Sequence, residues 1–149
     1  FVDGNNGNEG DTGDGTVDPT NNNRVLTGTG PESWATPSGV YDLNGNVWEW
    51  VYVRDANSDG TVDQSHPMHF GGTNNYVNEW NHTGEYPSDL SSSANSSFGE
   101  DHYWSSSNDN RAVRRGGGWF DGRRAGPFSM ALSDGPSNSA AGIGFRCSY

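Results

Sequence analysis

The chain has no lysine, one cysteine and only 30% hydrophobic residues among its 149 positions. Each scarcity excludes something. A single cysteine, Cys147, cannot close an intrachain disulfide, and it sits too near the end to organise the fold. With eight arginines against 19 acidic residues, the formal charge is -11. No uncompensated basic face is available for nucleic-acid phosphates, so no nucleic-acid partner is expected. No run approaches the roughly 20 apolar residues that cross a bilayer, and no charged-then-apolar leader opens the chain, which predicts a soluble mature protein without membrane insertion. Apolar spacing at i, i+3, i+4 and i+7 is sustained nowhere, so any helices are short. The 22 glycines and the low apolar content describe one domain with a small core wrapped in loop.

What is present is unevenly spread. Residues 1 to 110 carry 17 acidic residues and two arginines, whereas residues 111 to 149 carry two acidic residues and six arginines. These arginines could hold a local anionic patch. For Arg114, Arg115 and Arg146 the favoured reading is structural pairing with carboxylates, since a guanidinium fork ties loops together. Residues 1–23 hold five glycines, six asparagines and five acids, with only Phe1, Val2 and Val17 to bury. Such a segment cannot fold by hydrophobic burial and is either a lead-in or a loop held by a cation. The ordered domain is expected over 24–149. Within it, Asp42 to Asn46 is turn chemistry, and Val47-Trp-Glu-Trp-Val-Tyr-Val53 alternates as a strand should, sending Glu49 to the face opposite Trp48 and Trp50. Further order is expected around Met68 to Trp80 and His102 to Ser107, with a serine-rich connection from Ser88 to Ser97.

The sharpest metal signal is Asp55-Ala-Asn-Ser-Asp-Gly-Thr-Val-Asp63. Oxygen donors at Asp55, Asn57, Asp59 and Asp63, a carbonyl at Thr61, and a glycine for the sharp turn match the first nine positions of a calcium loop. His66 stands where the bidentate glutamate belongs, which lowers the expected affinity. The competing reading is a solvated Asx-rich turn. Asp14-Gly-Thr-Val-Asp18 echoes only the second half of the loop. Four histidines, His66, His69, His82 and His102, lack zinc spacing, and no Gly-x-Ser-x-Gly elbow is present. Sequons occur at Asn81 and Asn95.

From Trp119 onward, large, small, acidic, basic and imino residues follow with neither helical nor strand periodicity, as on a surface rather than in a core. Gly122, Ala125, Gly126, Phe128, Leu132 and Pro136 are the residues that packing or turns would demand. Those between them look chemically free.

Three separated motifs, Gly39 to Trp50, Arg115-Gly-Gly-Gly-Trp119 and Ile143-Gly-Phe-Arg146, resemble in order the formylglycine-generating-enzyme subtype of the C-type lectin fold over residues 38–149. The resemblance implies an α+β, loop-rich fold with short antiparallel strands and few helices. It also implies a structural calcium site using Asp42, the carbonyls of Gly45 and Val47, and Glu49; the plainer reading makes Trp48 and Trp50 simply core. An Arg-Leu-Pro-Thr-type N-terminal half is absent and Phe1 is not an initiator methionine, so a fragment or processed product is expected. Enzymes of the family bind copper through two cysteines shortly after the Gly-Gly motif. Asp121 and Gly126 occupy those positions and lack the soft thiolate that copper chemistry needs, so no enzyme activity is expected.

The ending also resembles the variable region, about 115–147, of diversity-generating-retroelement target proteins, a class that includes phage tropism determinants. In these, copying errors at template adenines scatter residues over a ligand-binding surface. Residues 116–149 contain no Lys, Glu or Gln, and only Trp119 and Met130 among the residues that such copying cannot easily make. The resemblance implies variation at Gly118, Phe120, Asp121, Arg123, Arg124, Pro127, Ser129, Ala131, Ser133, Asp134 and Gly135, with Ala140 and Ala141 as further positions. Phe120, Arg123 and Arg124 would be the anchors of this version, since aromatic and arginine side chains supply most hot-spot energy. The expected partner is a protein or cell-surface ligand, met by a face at or below about 800 Å² and strengthened by multivalent display. Location would be extracellular, on a cell surface or on a virion. The alternatives are a calcium-dependent carbohydrate-binding lectin using Asp55 to Asp63 or Trp80 and, behind it, the oxidase.

Overall fold

The computed structural model describes residues 37–38, 45–52, 61–81, 86–95 and 97–145. These form a single seven-stranded sheet: β1 (Trp48–Val51), β2 (Asn74–Trp80), β3 (Pro87–Ser91), β4 (His102–Ser105), β5 (Val113–Arg115), β6 (Met130–Leu132) and β7 (Ile143–Phe145). The strands lie in the order β3-β2-β4-β6-β5-β1-β7. The one helical element among the described residues is a 3-10 turn, Gly122–Arg124. The expected α+β balance therefore gives way to a domain of sheet and loop with almost no helix among the described residues, because a chain rich in Gly, Asn and Ser and without helical periodicity disfavours helices.

Expectation and structure part in three further places. The resemblance implies short antiparallel strands, and four of the six pairings among the described residues are antiparallel, yet β1 pairs parallel with β7, and β4 with β6. Parallel neighbours need a long crossover, and here the segments after β4 and β1 supply it. Second, the serine-rich connection begins with β3, whose Leu90 pairs with Val77 of β2. Third, the stretch after Trp119 contains β6, because three consecutive buried residues show no periodicity to the eye.

Alternation divides the sheet into two faces. Tyr103, Val113, Met130 and Leu132 point one way and join Val62, Met68 and Val77 in the core, each at most 1% exposed. Around this cluster Phe98 and Trp80 meet Phe128 edge-on at 5.0 and 5.3 Å, the arrangement that the ring quadrupole prefers. The Tyr103 hydroxyl donates to the Met68 carbonyl at 2.5 Å, and burial pushes its pKa up to about 12. The loop after β5 turns back tightly. Gly117 has φ +78, and an added Cβ would lie 2.5 Å from Ala125 Cβ, so both the backbone angle and the contact demand glycine.

Candidate functional site

The other face of the sheet carries larger and more polar side chains. Register places Trp50, Arg114, Ala131 and Trp104 side by side across β1, β5, β6 and β4. Three bulky residues and one methyl group in a row leave a depression at the small one. Ala131 forms the floor of a cavity of about 190 Å³, walled by Trp48, Trp104 and Phe120, with Arg114, Asp121 and Ser133 as its polar lining. Trp48 stands edge-on to Trp104 at 5.2 Å. Although 4% exposed, Trp48 is buried here rather than in the main core cluster.

Arg114 organises the polar side. Its guanidinium lies 5.6 and 5.4 Å from the Trp48 and Trp50 ring centres, and it donates to Ser133 Oγ at 2.9 Å and to Asp134 Oδ2. Ser133 Oγ in turn donates to the same carboxylate oxygen at 2.9 Å. Burial lowers the Arg114 pKa, against the pull of Asp134 and Asp121. The structural pairing expected of Arg114 is what forms. Arg115, facing the core side, lies 4.5 Å from the Trp80 ring centre and donates to the Pro127 carbonyl. Arg146 lies outside the described residues.

Asp121 closes the loop over the cavity. Its Oδ2 accepts from the Gly118 N–H at 2.8 Å, while its own N–H donates to the Gly118 carbonyl at 3.0 Å. Burial raises its pKa above the ordinary carboxylate value, against the Gly118 N–H, the Trp48 indole, Arg114 and Arg124. Beneath the loop, burial and the Arg124 charge drive His102 down to about 4, so its imidazole is neutral at pH 7. The loop's far end is pinned by Asp101, whose Oδ2 accepts from the Phe128 N–H at 2.7 Å.

The residues expected to form a recognition face divide by exposure. Phe120 is 51% exposed, the Arg123 side chain 82%, and Arg124 and Pro127 are also exposed. Asp121, Ser133, Asp134 and Gly135 are half-buried, and Ala140 and Ala141 are exposed. Three positions depart from the surface expectation. Ser129 is fully buried, its hydroxyl donating to the Arg124 carbonyl at 2.5 Å and accepting from the His102 N–H, so it cannot touch a ligand directly. Ala131 is 2% exposed, hemmed in by its cross-strand neighbours, and reaches only the cavity. Gly118 is buried beneath Phe120, whose ring would stand 2.9 Å from an added Cβ. Among the framework residues, Ala125 and Leu132 are buried, and Pro136 is exposed in a turn closed by the Asn138 N–H on the Gly135 carbonyl, so packing holds the first two and turn geometry the third.

The expected calcium donors are only partly in view. Asp55, Asn57, Asp59 and Asp42 lie outside the described residues. Thr61 is buried, and Asp63 Oδ1 accepts from the Asn110 N–H at 3.3 Å. Gly45 donates its N–H to the Gly116 carbonyl, Val47 is half-buried, and Glu49 is half-buried in β1. Among the described residues no three His, Cys, Asp or Glu side chains converge as a metal site would require. His69 accepts from the Gly71 N–H at Nδ1 and meets the Asn108 carbonyl at Nε2, a structural arrangement, and His82 lies outside the described residues. The Asn95 sequon asparagine donates its amide to Asn78. No helix among the described residues is long and apolar enough to cross a membrane.

The cavity itself escaped sequence reasoning. Its only linear trace is an alanine between Met130 and Leu132, opposite Arg114 and Trp104 by a register that no local pattern reveals.

The framework motifs Gly45 to Trp50, Arg115 to Trp119 and Ile143 to Phe145 come together in β1, β5 and β7, adjacent in the sheet. A family model described as the sulfatase-modifying factor enzyme 1-like domain matches residues 5–149. The chain belongs to this family. Its fold superfamily is the C-type lectin-like one, in agreement with the resemblance in the sequence. No curated protein matches the chain. For this family member, the position after the Gly-Gly motif that the resemblance assigns to a second cysteine is Gly126. A Cβ there would fall 1.9 Å from Asp101 Oδ1.

Proposed function

We propose that this domain is a ligand-binding module whose recognition face is the loop from Gly118 to Gly135 with the cavity beneath it, diversified in the manner of retroelement variable proteins. One observation carries the reading. Phe120, Arg123, Arg124 and Pro127 project to solvent from a loop whose two ends are locked, by Asp121 on Gly118 and by Asp101 on Phe128. Exposed substitutions on such a loop usually cost within about 0.5 kcal/mol, so its chemistry can change while the sheet stands. Ala131, Ser133 and Asp121 would extend the variation into the cavity, where side-chain size alters depth.

The module binds rather than oxidises. Asp121 is engaged in a turn, and Gly126 has no space for any side chain in this backbone, which supports a departure from thiol chemistry at both positions. Calcium at Asp55 to Asp63 and at Asp42, Gly45, Val47 and Glu49 belongs to the same proposal as a structural ion, read out as a chelator-sensitive melting temperature. Its partner is a protein or cell-surface ligand, met outside the cell or on a virion, with multivalent display to strengthen a small face.

The test is genomic. A near-copy of the codons for residues 115–147 should lie beside a reverse transcriptase gene and differ from them mainly at adenines. An identical copy, or no copy in a complete genome, would refute diversification.

A further inference from the structure

We propose that the cavity accepts a neutral aromatic ring bearing a hydroxyl, the phenol of a tyrosine on a protein ligand, and that Ala131 determines which ring fits. This deepens the ligand-binding reading above and rests on it. Size comes first. An enclosed apolar cavity of about 150 Å³ holds benzene, and the 190 Å³ here suits one substituted six-membered ring. Trp48, Trp104 and Phe120 supply the aromatic walls, against which a further ring packs edge-on.

Charge then narrows the class. A cation would stand beside the Arg114 guanidinium, which lines the cavity and already covers the Trp48 ring at 5.6 Å. An anion would face the Asp121 carboxylate in the lining, and the Arg114 charge that would attract it is already paired with Asp134. A neutral group avoids both penalties. Its hydrogen-bonding character follows from what remains in the lining. The Asp121 carboxylate has about four acceptor sites, and its neighbours the Gly118 N–H and the Trp48 indole leave acceptor capacity over. Ser133 Oγ spends its proton on Asp134 and accepts from Arg114, so it too has only accepting capacity left. Arg114, which also lines the cavity, keeps a buried Nε–H with no hydrogen-bond partner. The lining therefore suits a hydroxyl, which both donates and accepts and which a phenol carries and toluene lacks. At the floor, Ala131 lies between Arg114 and Trp104 in register, and a longer side chain would rise into the space the ring needs.

The experiment titrates the full chain with p-cresol, toluene, tetramethylammonium and methyl glucoside, following the amide resonances of Ala131 and Ser133. We expect p-cresol to bind about tenfold more tightly than toluene, the gain of one hydrogen bond to a charged acceptor, and the other two probes not to saturate. Ala131→Leu should weaken p-cresol at least tenfold. Asp121→Asn, which keeps an oxygen for the Gly118 N–H, should retain toluene binding and lose most of the preference for p-cresol; it decides the matter if the leucine variant fails to fold. Equal affinity for toluene and p-cresol, saturation by the cation or the sugar, or undiminished p-cresol binding in a folded Ala131→Leu would overturn the proposal. Silence towards all four probes would overturn it too, while the genomic test of the ligand-binding reading would stand apart.

Discussion

Removing Asp134 should destabilise the domain through a residue outside the hydrophobic core cluster. Arg114 is 7% exposed, and its charge is balanced chiefly by Asp134, whose side chain is 30% exposed. Truncation to alanine strands a buried guanidinium with Ser133 and the tryptophan faces. Breaking a fully buried pair costs about 3–5 kcal/mol. Partial exposure of the carboxylate, and the residual pull of Asp121, reduce this to about 2–3 kcal/mol. For a domain of this size that is a melting-temperature drop of roughly 4–12 °C. Urea unfolding of wild type, Asp134→Ala, Arg114→Met and the double variant measures both the cost and its origin. If the stranded charge is the cause, the double variant is more stable than Asp134→Ala alone, because methionine leaves no charge to solvate. A drop below about 0.5 kcal/mol for Asp134→Ala, or a double variant less stable than either single one, would refute the reasoning.

Gly126→Ala should cost at least about 2 kcal/mol, since its Cβ would enter the Asp101 carboxylate and disturb the bond to Phe128; a melting temperature equal to wild type would show that the loop gives way freely. His102 is held near 4 when folded against 6.5 in the unfolded chain, so between those values the unfolded state binds more protons and stability falls as pH is lowered. The loss should reach at most about 3 kcal/mol by pH 4, and His102→Asn should flatten that slope; an unchanged slope would assign it to other groups. The variant Arg123→Ala, Arg124→Ala should melt within a few degrees of wild type, as two exposed truncations at about 0.5 kcal/mol or less each imply; a collapse of the melt would mean that these side chains hold the scaffold.

Much of the architecture was legible because it is local. The alternation in Val47 to Val53 correctly set Trp48 and Trp50 on one face, and Arg114 now covers both. The lack of helical spacing anticipated a chain with one short helical turn among its described residues. Less was legible where burial depends on a neighbour distant in sequence. Ser129 and Ala131 read as surface because small residues among charged ones look exposed; one is sealed by Arg124 and His102, the other sits beneath Trp104 and Arg114.

The sequence alone therefore determined composition-level properties, the framework motifs and the family, since each resides in residue identity and short-range order. Tertiary structure alone decided the parallel pairing of β1 with β7, the row from Trp50 to Trp104, and with it the cavity. The physical reason is that a strand's own sequence states which side chains share a face, but only register against its neighbours states what stands beside them.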